Sequence, residues 1–437
     1  MITILATIFV LGILVFVHEL GHFIAAKRVG IRVEQFSLGF PPKMVGWKRG
    51  ETEYRISWLP VGGYVKMAGQ DDFTPEEGSG KPYEFYSKPI WQRIIVIGAG
   101  PVTNWAFSLV LFWLIILVSG LAVIKTTQVG KVSKPDVISG RSLAAGDRIV
   151  AVNGKEVTTW EGIYENLKAD ETPVLQELVV EKGGGAEQVV LQIPVQRDSF
   201  LTHVHPYIAP RVGTVMEGHP AEKAGMCAGD RVVAINGDTV RLWSEVVEII
   251  HQHPGDSLVI SWERAGESFT APIVPDSREI MDENKEIITI GMIGIKRPVV
   301  MEKAGFFKSI KLGFNLTCRW TVRIFSFIVD LVTGRTSVRH IGGPIAIARM
   351  AGENARDSFG SLVGFMAILG INLAIINILP IPMFDGGHLL VFMVEGITRK
   401  KLTFKQRAVI QYIGLAIIIT LTVFVLFNDI VNLARNI

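Results

Sequence analysis

Residues 102–124 read VTNWAFSLVLFWLIILVSGLAVI and contain no charged side chain. As an α-helix, this stretch would be about 34 Å long, which is enough to cross the roughly 30 Å hydrocarbon core of a bilayer. Three further stretches of similar length and apolarity follow the same pattern. The sequence therefore predicts a polytopic α-helical membrane protein with four transmembrane helices, within segments 1–26, 94–124, 362–398 and 408–428.

The composition of the whole chain agrees with a membrane protein. Its 437 residues are 49% hydrophobic and 19% charged, with a mean hydropathy of +0.36, whereas soluble domains carry about 25% charged residues. The 44 basic and 41 acidic residues give a net charge of +3, a balance that does not indicate a nucleic-acid partner. Two cysteines, Cys227 and Cys318, exclude a disulfide scaffold.

Basic residues beside the spans predict their orientation. Lys27 and Arg28 follow the first span, and Arg399 lies between the third and fourth. Because loops rich in Lys and Arg stay in the cytoplasm, segment 27–93 should be cytoplasmic, whereas both termini and residues 125–361 should lie outside. A cleaved signal peptide is the alternative for the first span, but basic residues precede the apolar core of such peptides.

A fifth apolar stretch, Phe307–Val332, carries charges within its length: Lys308, Lys311, Arg319, Arg323 and Asp330. Each charge near a bilayer centre costs up to about 3 kcal/mol. The sequence therefore predicts that this helix lies on the membrane surface or packs on the spans, inside a linker segment, 277–361.

One phrase occurs twice in the predicted external segment. Residues 145–154 read AGDRIVAVNG and residues 228–237 read AGDRVVAING, so eight of ten positions are identical. In each phrase Gly-Asp predicts a turn, the apolar run a strand, and Asn-Gly a tight hairpin. A repeat of this kind indicates two copies of one small β-rich domain, which we place at 126–198 and 203–276.

The first span contains the sequence His18-Glu-Leu-Gly-His22. Residues i and i+4 share one face of a helix, so both imidazoles can reach one metal ion, and Glu19 beside them can take a proton from a metal-activated water. Ionisable side chains inside a bilayer are costly and usually functional. Histidines that only hydrogen-bond between spans are the alternative, which leaves Glu19 without a role.

The third span contains the candidate for another ligand. Catalytic zinc takes three protein ligands and keeps one position open, and residues 377–388, NILPIPMFDGGH, include the acid Asp385. Pro380 and Pro382 break the helix, which a membrane tolerates where the backbone is buried in protein or lines a wet cavity. His388 is a second candidate, which we rank below Asp385.

HExxH in a first span and Asn-x-x-Pro-x-Pro-x-x-Asp-Gly in a third, with two repeats between the second and third spans, resemble the site-2 protease family of intramembrane zinc metalloproteases. The resemblance implies that His18, His22 and Asp385 are the Zn2+ ligands and that Glu19 is the general base. It also implies that Asn377, Pro380 and Pro382 form a substrate-binding loop. The family often has Leu where this chain has Phe384. That change affects an apolar neighbour and leaves the ligand set intact.

The same resemblance implies that the repeats are tandem periplasmic PDZ domains, which take up an extended peptide at a sheet edge. The two domains together would filter substrates. The peptide-binding loop of the second copy would lie near Tyr207–Val215. The implied setting is the bacterial inner membrane and regulated intramembrane proteolysis. The implied partners are the lipid bilayer, protein ligands of the PDZ domains, and single-span substrates such as a trimmed anti-sigma factor or remnant signal peptides.

Two other stretches match the family. In residues 53–60, EYRISWLP, the side chains of Tyr54, Ile56 and Trp58 alternate with polar ones, which is typical of a strand with one wet face. In the family this cytoplasmic, membrane-associated β-hairpin region offers its edge to the substrate, so we predict that these three residues bind substrate. The stretch Gly98–Asn104 opens the second span, where Asn104 pairs with a site residue or caps the helix.

Two other classes of protein compete with a protease. A zinc transporter would need a chain of ligands across the bilayer, whereas the ligand types in this sequence cluster near one face. An inactive PDZ scaffold would have no use for Glu19. We therefore expect a zinc endopeptidase that uses no organic cofactor.

Overall fold

The computed structural model describes residues 1–70, 80–133, 143–168, 172–183, 185, 187–281, 287–336, 342–400 and 402–435. Parts of the predicted segments 27–93, 126–198 and 277–361 thus lie outside the described residues. The chain divides into two compact units: Met1–Gly120 with Lys303–Ile437, and Leu121–Glu302.

The helices, in chain order, are α1 (Ile2–Arg28), α2 (Ile90–Ser119), α3 (Trp160–Asn166), α4 (Arg197–His203), α5 (Pro220–Lys223), α6 (Trp243–His251), α7 (Phe306–Val332), α8 (Pro344–Asp357), α9 (Phe359–Ile378), α10 (Asp385–Thr398) and α11 (Phe404–Arg435). The strands are β1 (Val33–Arg49), β2 (Thr52–Met67), β3 (Leu121–Val123), β4 (Val129–Val132), β5 (Arg148–Val152), β6 (Lys155–Glu156), β7 (Val174–Glu181), β8 (Gln188–Val195), β9 (Val204–Pro206), β10 (Thr214–Val215), β11 (Arg231–Ile235), β12 (Asp238–Thr239), β13 (Leu258–Arg264), β14 (Glu267–Ile273), β15 (Asp276–Met281), β16 (Ile287–Met292), β17 (Ile295–Lys296) and β18 (Val300–Glu302).

Four helices in the described part of the chain are long and apolar enough to cross a membrane, namely α1, α2, α9 and α11. The number of spans is therefore as predicted, but two bounds differ. The second span ends at Ser119 and not at 124, because Gly120 adopts a φ of 84° and the chain continues as β3. Segment 362–398 holds two helices, α9 and α10, on either side of residues 379–384.

Three of the four spans share one apolar core. Val10 and Leu14 of α1 belong to the same buried cluster as Leu111 and Phe112 of α2 and Ile371 of α9. Since each of these side chains is at most 7% exposed, the three helices hold one another in a fixed arrangement. This arrangement positions the site at the end of α1.

Helix α7 packs on α2 through small and polar side chains. The buried residues Ser309, Gly313 and Thr317 lie on one face of α7. Trp113 Nε1 donates to Ser309 Oγ at 3.2 Å, and a Cβ on Gly313 would lie 2.9 Å from the Trp113 backbone nitrogen. Of the two predicted placements, the structure therefore shows packing on a span.

Strands β1 and β2 fold back on themselves and form a sheet of four segments. Phe36 pairs with Tyr54 on one side and with Val65 on the other, and Trp47 pairs with Tyr54. Residues 53–56 therefore lie inside the sheet, whereas residues 63–67 form one of its edges. The Phe36 ring lies 5.9 Å from that of Phe16, so the sheet packs against α1.

The second unit contains two four-stranded sheets with the same strand order. The sheets are β6-β5-β7-β8 and β12-β11-β13-β14. Asn153 and Asn236 occupy the hairpins after β5 and β11 with φ of 49° and 52°. Their side-chain oxygens accept from the backbone N–H groups of Glu177 and Val259. The Asn-Gly hairpins predicted from the repeated phrase are therefore present in both copies.

The two copies extend beyond the bounds predicted from the sequence. Strand β9 pairs with β4, and Val204 lies in the first core, so the first copy continues past residue 198. Strand β10 pairs with β17, and Ile293 lies in the second core. Residues 277–281 and 287–296 therefore belong to the second copy and are not a linker.

Candidate metal centre and substrate cavity

Two helices bring the three predicted metal ligands together. Helix α1 carries His18 and His22, and Asp385 is the first residue of α10. His18 Nε2 lies 3.1 Å from Asp385 Oδ2, and His22 Nε2 lies 3.5 Å from Asp385 Oδ1. The two imidazole Nε2 atoms are 3.1 Å apart. One ligand atom from each residue thus lies within 4.8 Å of the others.

The break between α9 and α10 places Asp385. Met383 adopts a φ of 77°, and the Phe384 N–H donates to the carbonyl of Ile381 at 3.2 Å. A Cβ on Gly386 would lie 2.1 Å from the backbone oxygen of Leu379. Glycine after Asp385 is therefore required for the chain to turn this tightly.

Helix α2 approaches the two histidines closely. A Cβ on Gly100 would lie 2.4 Å from His22 Nε2 and 2.7 Å from His18 Cε1. His22 Nδ1 lies 2.9 Å from the Val96 carbonyl, which can only accept a hydrogen bond. His22 therefore carries its proton on Nδ1, and Nε2 is free to bind a metal.

The three side chains fit a zinc ion. Zinc ligands at 2.0–2.2 Å in a tetrahedron are about 3.3–3.5 Å apart, close to the distances between these atoms. Asp385 Oδ2 is buried and has no hydrogen-bond partner among the described residues, although His18 Nε2 lies 3.1 Å away. Two imidazoles and a carboxylate are a common donor set for catalytic zinc.

A cavity of about 500 Å³ opens on this group. Besides the three predicted ligands, Glu19, Asn104, Asn377 and His388 line it. The backbone of Val65 hydrogen-bonds the Glu19 carboxylate. The general base predicted from the sequence thus faces the same space as the ligands.

Residues of the β-sheet also line the cavity, but they are not the predicted ones. Gly62, Gly63, Tyr64 and Val65 contribute to its wall, and a Cβ on Gly63 would lie 3.1 Å from Glu19 Cγ. The structure does not place Tyr54, Ile56 or Trp58 in this wall. Tyr54 and Ile56 belong to an interior segment that is paired on both sides. Alternating polarity predicts the faces of a strand, and it cannot predict which strand forms the edge.

The remaining predicted residues of the break lie near the cavity. Pro380 and Pro382 are not among its lining residues, and Pro382 instead packs on Gly414 of α11. His388 Nε2 lies 3.4 Å from Gln411 Nε2 of α11, and His388 is not one of the three clustered ligands. The two prolines therefore shape the break without entering the cavity.

Comparison with known proteins gives one family over almost the whole chain. The model of peptidase family M50 matches residues 6–421. The Escherichia coli regulator of sigma-E protease RseP is 30% identical over 96% of each chain. Zinc metalloprotease RasP of Geobacillus kaustophilus is 31% identical over 98% of this chain and 97% of its own.

Two further comparisons concern a third relative and a solved domain. The Haemophilus influenzae regulator of sigma E protease is 31% identical over 98% of each chain. The solved PDZ domain of an SdrC-like protein from Listeria monocytogenes covers 22% of this chain and 90% of that domain, at 24% identity and a TM-score of 0.17, too low to establish a shared fold. The family match and the full-length relatives instead decide the identity: the chain belongs to peptidase family M50 and is a membrane zinc metalloprotease of the site-2 type.

Proposed function

We propose that this protease hydrolyses single-span membrane proteins, with His18, His22 and Asp385 as zinc ligands and Glu19 as general base. The observation that carries the proposal is the convergence of the three ligand atoms within 4.8 Å in a cavity that Glu19 also lines. When bound, zinc polarises a carbonyl and lowers the pKa of water. A metal-storage site would have no need of the carboxylate beside it.

Glu19 has the surroundings that a general base needs. Its carboxylate accepts from the backbone N–H of Val65, which fixes one oxygen and leaves the other for a water. Glu19 then takes the proton of the attacking water and returns it to the leaving amine. Val65 belongs to the edge of the sheet, so the base is held by the element that we expect to bind substrate.

The edge segment 63–67 is suited to hold an unwound substrate. A transmembrane helix hides its carbonyls in internal hydrogen bonds, so it must become extended before cleavage. Alternate residues of an edge strand direct their backbone groups away from the sheet, and this edge faces the cavity through Gly63 and Val65. Asn377 of α9 also lines the cavity, where its amide can hold a substrate carbonyl. We infer that the substrate adds to the edge as one more strand.

The second unit would select substrates. Two sheets of the same strand order support the proposal of tandem PDZ domains. Positive charge near the spans favours a periplasmic location for these domains and for both termini. They would admit proteins whose outer part has been trimmed. The names of the Escherichia coli and Haemophilus influenzae relatives favour an anti-sigma factor as one substrate, and remnant signal peptides are another.

The proposal is tested with purified protein in liposomes and a single-span substrate tagged at both ends. Glu19→Gln should retain zinc and lose at least about 10²-fold in cleavage, whereas Asp385→Ala should lose both zinc and cleavage. Glu51→Gln changes a carboxylate that is 60% exposed and serves as the control. Cleavage at the normal rate by zinc-loaded Glu19→Gln would show that Glu19 is not the base.

A further inference from the structure

Asn104 is a buried polar residue of α2 that contacts one of the proposed ligands. It is 1% exposed, and its Nδ2 lies 3.4 Å from His18 Nδ1. Its Oδ1 is buried and has no hydrogen-bond partner among the described residues. Leaving a buried amide oxygen without a hydrogen-bond partner costs about 1–3 kcal/mol. This orientation of the Asn104 amide is therefore unfavourable.

The position of the proton on the His18 imidazole decides how the Asn104 amide is oriented. His18 Nε2 faces His22 Nε2 and Asp385 Oδ2, both at 3.1 Å, so Nε2 is the atom that would bind the metal. A ligating nitrogen carries no proton, and the proton must then be on Nδ1. In that tautomer Nδ1 is a donor and requires an acceptor at the position of Asn104.

The orientation of an amide is assigned from its hydrogen bonds, since its oxygen and its NH2 group have nearly the same shape but opposite hydrogen-bonding roles. Turning the Asn104 amide by 180° brings Oδ1 to His18 Nδ1, where it accepts the proton. The same turn removes the buried oxygen without a partner. One change therefore gives both His18 Nδ1–H and Asn104 Oδ1 a partner, while Nδ2 takes the position that Oδ1 leaves.

His22 has the same kind of support on the same helix. Its Nδ1 donates to the carbonyl of Val96 at 2.9 Å, two turns before Asn104. We propose that Asn104 is a positioning residue, whose Oδ1 accepts the Nδ1–H of His18 and holds this imidazole in the tautomer that binds zinc. Both imidazoles are then oriented by α2, one through the main chain and one through a side chain. The inference rests on the proposed ligand role of His18.

The test measures zinc affinity of the purified full-length protein by competition with a chelator. Asn104→Leu has a similar volume and no acceptor, and Asn104→Asp keeps an acceptor. Loss of such a supporting hydrogen bond lowers metal affinity about 10- to 100-fold. We therefore expect that loss in Asn104→Leu and affinity at or above wild type in Asn104→Asp. Ser108→Ala is the control, because Ser108 is equally buried on α2 and bonds only to the Asn104 carbonyl among the described contacts.

Rescue by the aspartate separates positioning from packing. If Asn104→Leu binds zinc as wild type does, or if Asn104→Asp loses as much affinity as Asn104→Leu, the proposal is overturned. Should Asn104→Leu fail to fold, nitrogen NMR of histidine-labelled, zinc-loaded wild type decides: we expect a proton on Nδ1 of His18, and a proton on Nε2 refutes the proposal. Because no readout is cleavage, failure here leaves the hydrolase proposal to its own test.

Discussion

Arg93 and Glu395 form an ion pair that is almost fully buried. Arg93 Nη1 lies 3.1 Å from Glu395 Oε2, and both side chains are 3% exposed. The Arg93 guanidinium lies 4.7 Å from the centre of the Phe392 ring, and Glu395 Oε1 accepts from the backbone N–H of Leu402 at 3.0 Å. The pair therefore joins α2, α10 and the segment that leads into α11.

Removing one member of this pair should be costly. Glu395→Gln leaves the guanidinium of Arg93 buried without its counter-charge, and we expect the free energy of unfolding to fall by about 3–5 kcal/mol. Replacing both residues by Met should restore much of that loss. The measurement is unfolding in mixed micelles. As the control, Glu353→Gln breaks an exposed pair with Arg349 and should change the free energy of unfolding by less than about 0.5 kcal/mol. A single variant as stable as wild type would contradict the expectation.

Gly100 and Gly98 form a matched pair on α2 for testing the metal centre. A Cβ on Gly100 would lie 2.4 Å from His22 Nε2, whereas a Cβ on Gly98 meets nothing within 4 Å. Gly100→Ala should displace the imidazoles and weaken zinc binding at least about tenfold. Gly98→Ala should bind zinc as wild type does. Both zinc affinities are measured by competition with a chelator. Equal affinities would mean that α2 yields to the extra methyl group.

The edge of the sheet should matter more for cleavage than its interior. Gly63→Val would place side-chain atoms against Val15 and Glu19, since the Cβ alone lies 2.9 and 3.1 Å from their side chains. We expect kcat/KM for a single-span substrate to fall about 10²-fold with zinc retained. Ile56→Ala, in the interior segment, should stay within about twofold. If both variants lose the same activity, the substrate does not bind along residues 63–67.

The spans and the residues that cluster at the candidate metal centre could be predicted from the sequence because each has a local signature. Bilayer thickness sets the length of an apolar run, which located α1, α2, α9 and α11. The helical period put His18 and His22 on one face, and the cost of a carboxylate in a membrane singled out Asp385. The structure brings these residues together, and their roles remain a proposal.

Features that depend on distant parts of the chain could not be predicted. The pairing of β9 with β4 and of β10 with β17 joins segments far apart in sequence. For this reason the sequence predicts both β-rich domains to be shorter than they are in the structure. The approach of Gly100 to the histidines depends on how α2 packs on α1, and no periodicity encodes it. For the same reason the alternation around Tyr54 identified a strand but not the edge at Val65.

Asp230 of the second repeat forms an ion pair with Arg264, which lies outside the repeated ten-residue sequence. It is fully buried, and its Oδ1 and Oδ2 accept from Arg264 Nε and Nη2 at 2.7 and 2.8 Å. The Cys227 N–H donates to the same carboxylate at 2.8 Å. The Arg264 guanidinium holds the pKa of Asp230 below its usual range. We expect Asp230→Asn to cost roughly 2–3 kcal/mol, because Arg264 can rehydrate at the surface.

The lowered pKa gives this loss a defined pH dependence. A carboxyl group whose pKa is lower in the folded state contributes its stability above the unfolded pKa of about 3.9, and loses it as pH falls through the folded value. The difference in stability between wild type and Asp230→Asn should therefore be constant from about pH 7 to pH 5 and shrink below pH 4. Denaturant unfolding of the full chain, followed by fluorescence that includes the buried Trp262, measures it. Asp238→Asn, in the exposed strand β12, should show no such difference. A difference that persists unchanged to pH 2 would mean that the ion pair with Arg264 is not its source.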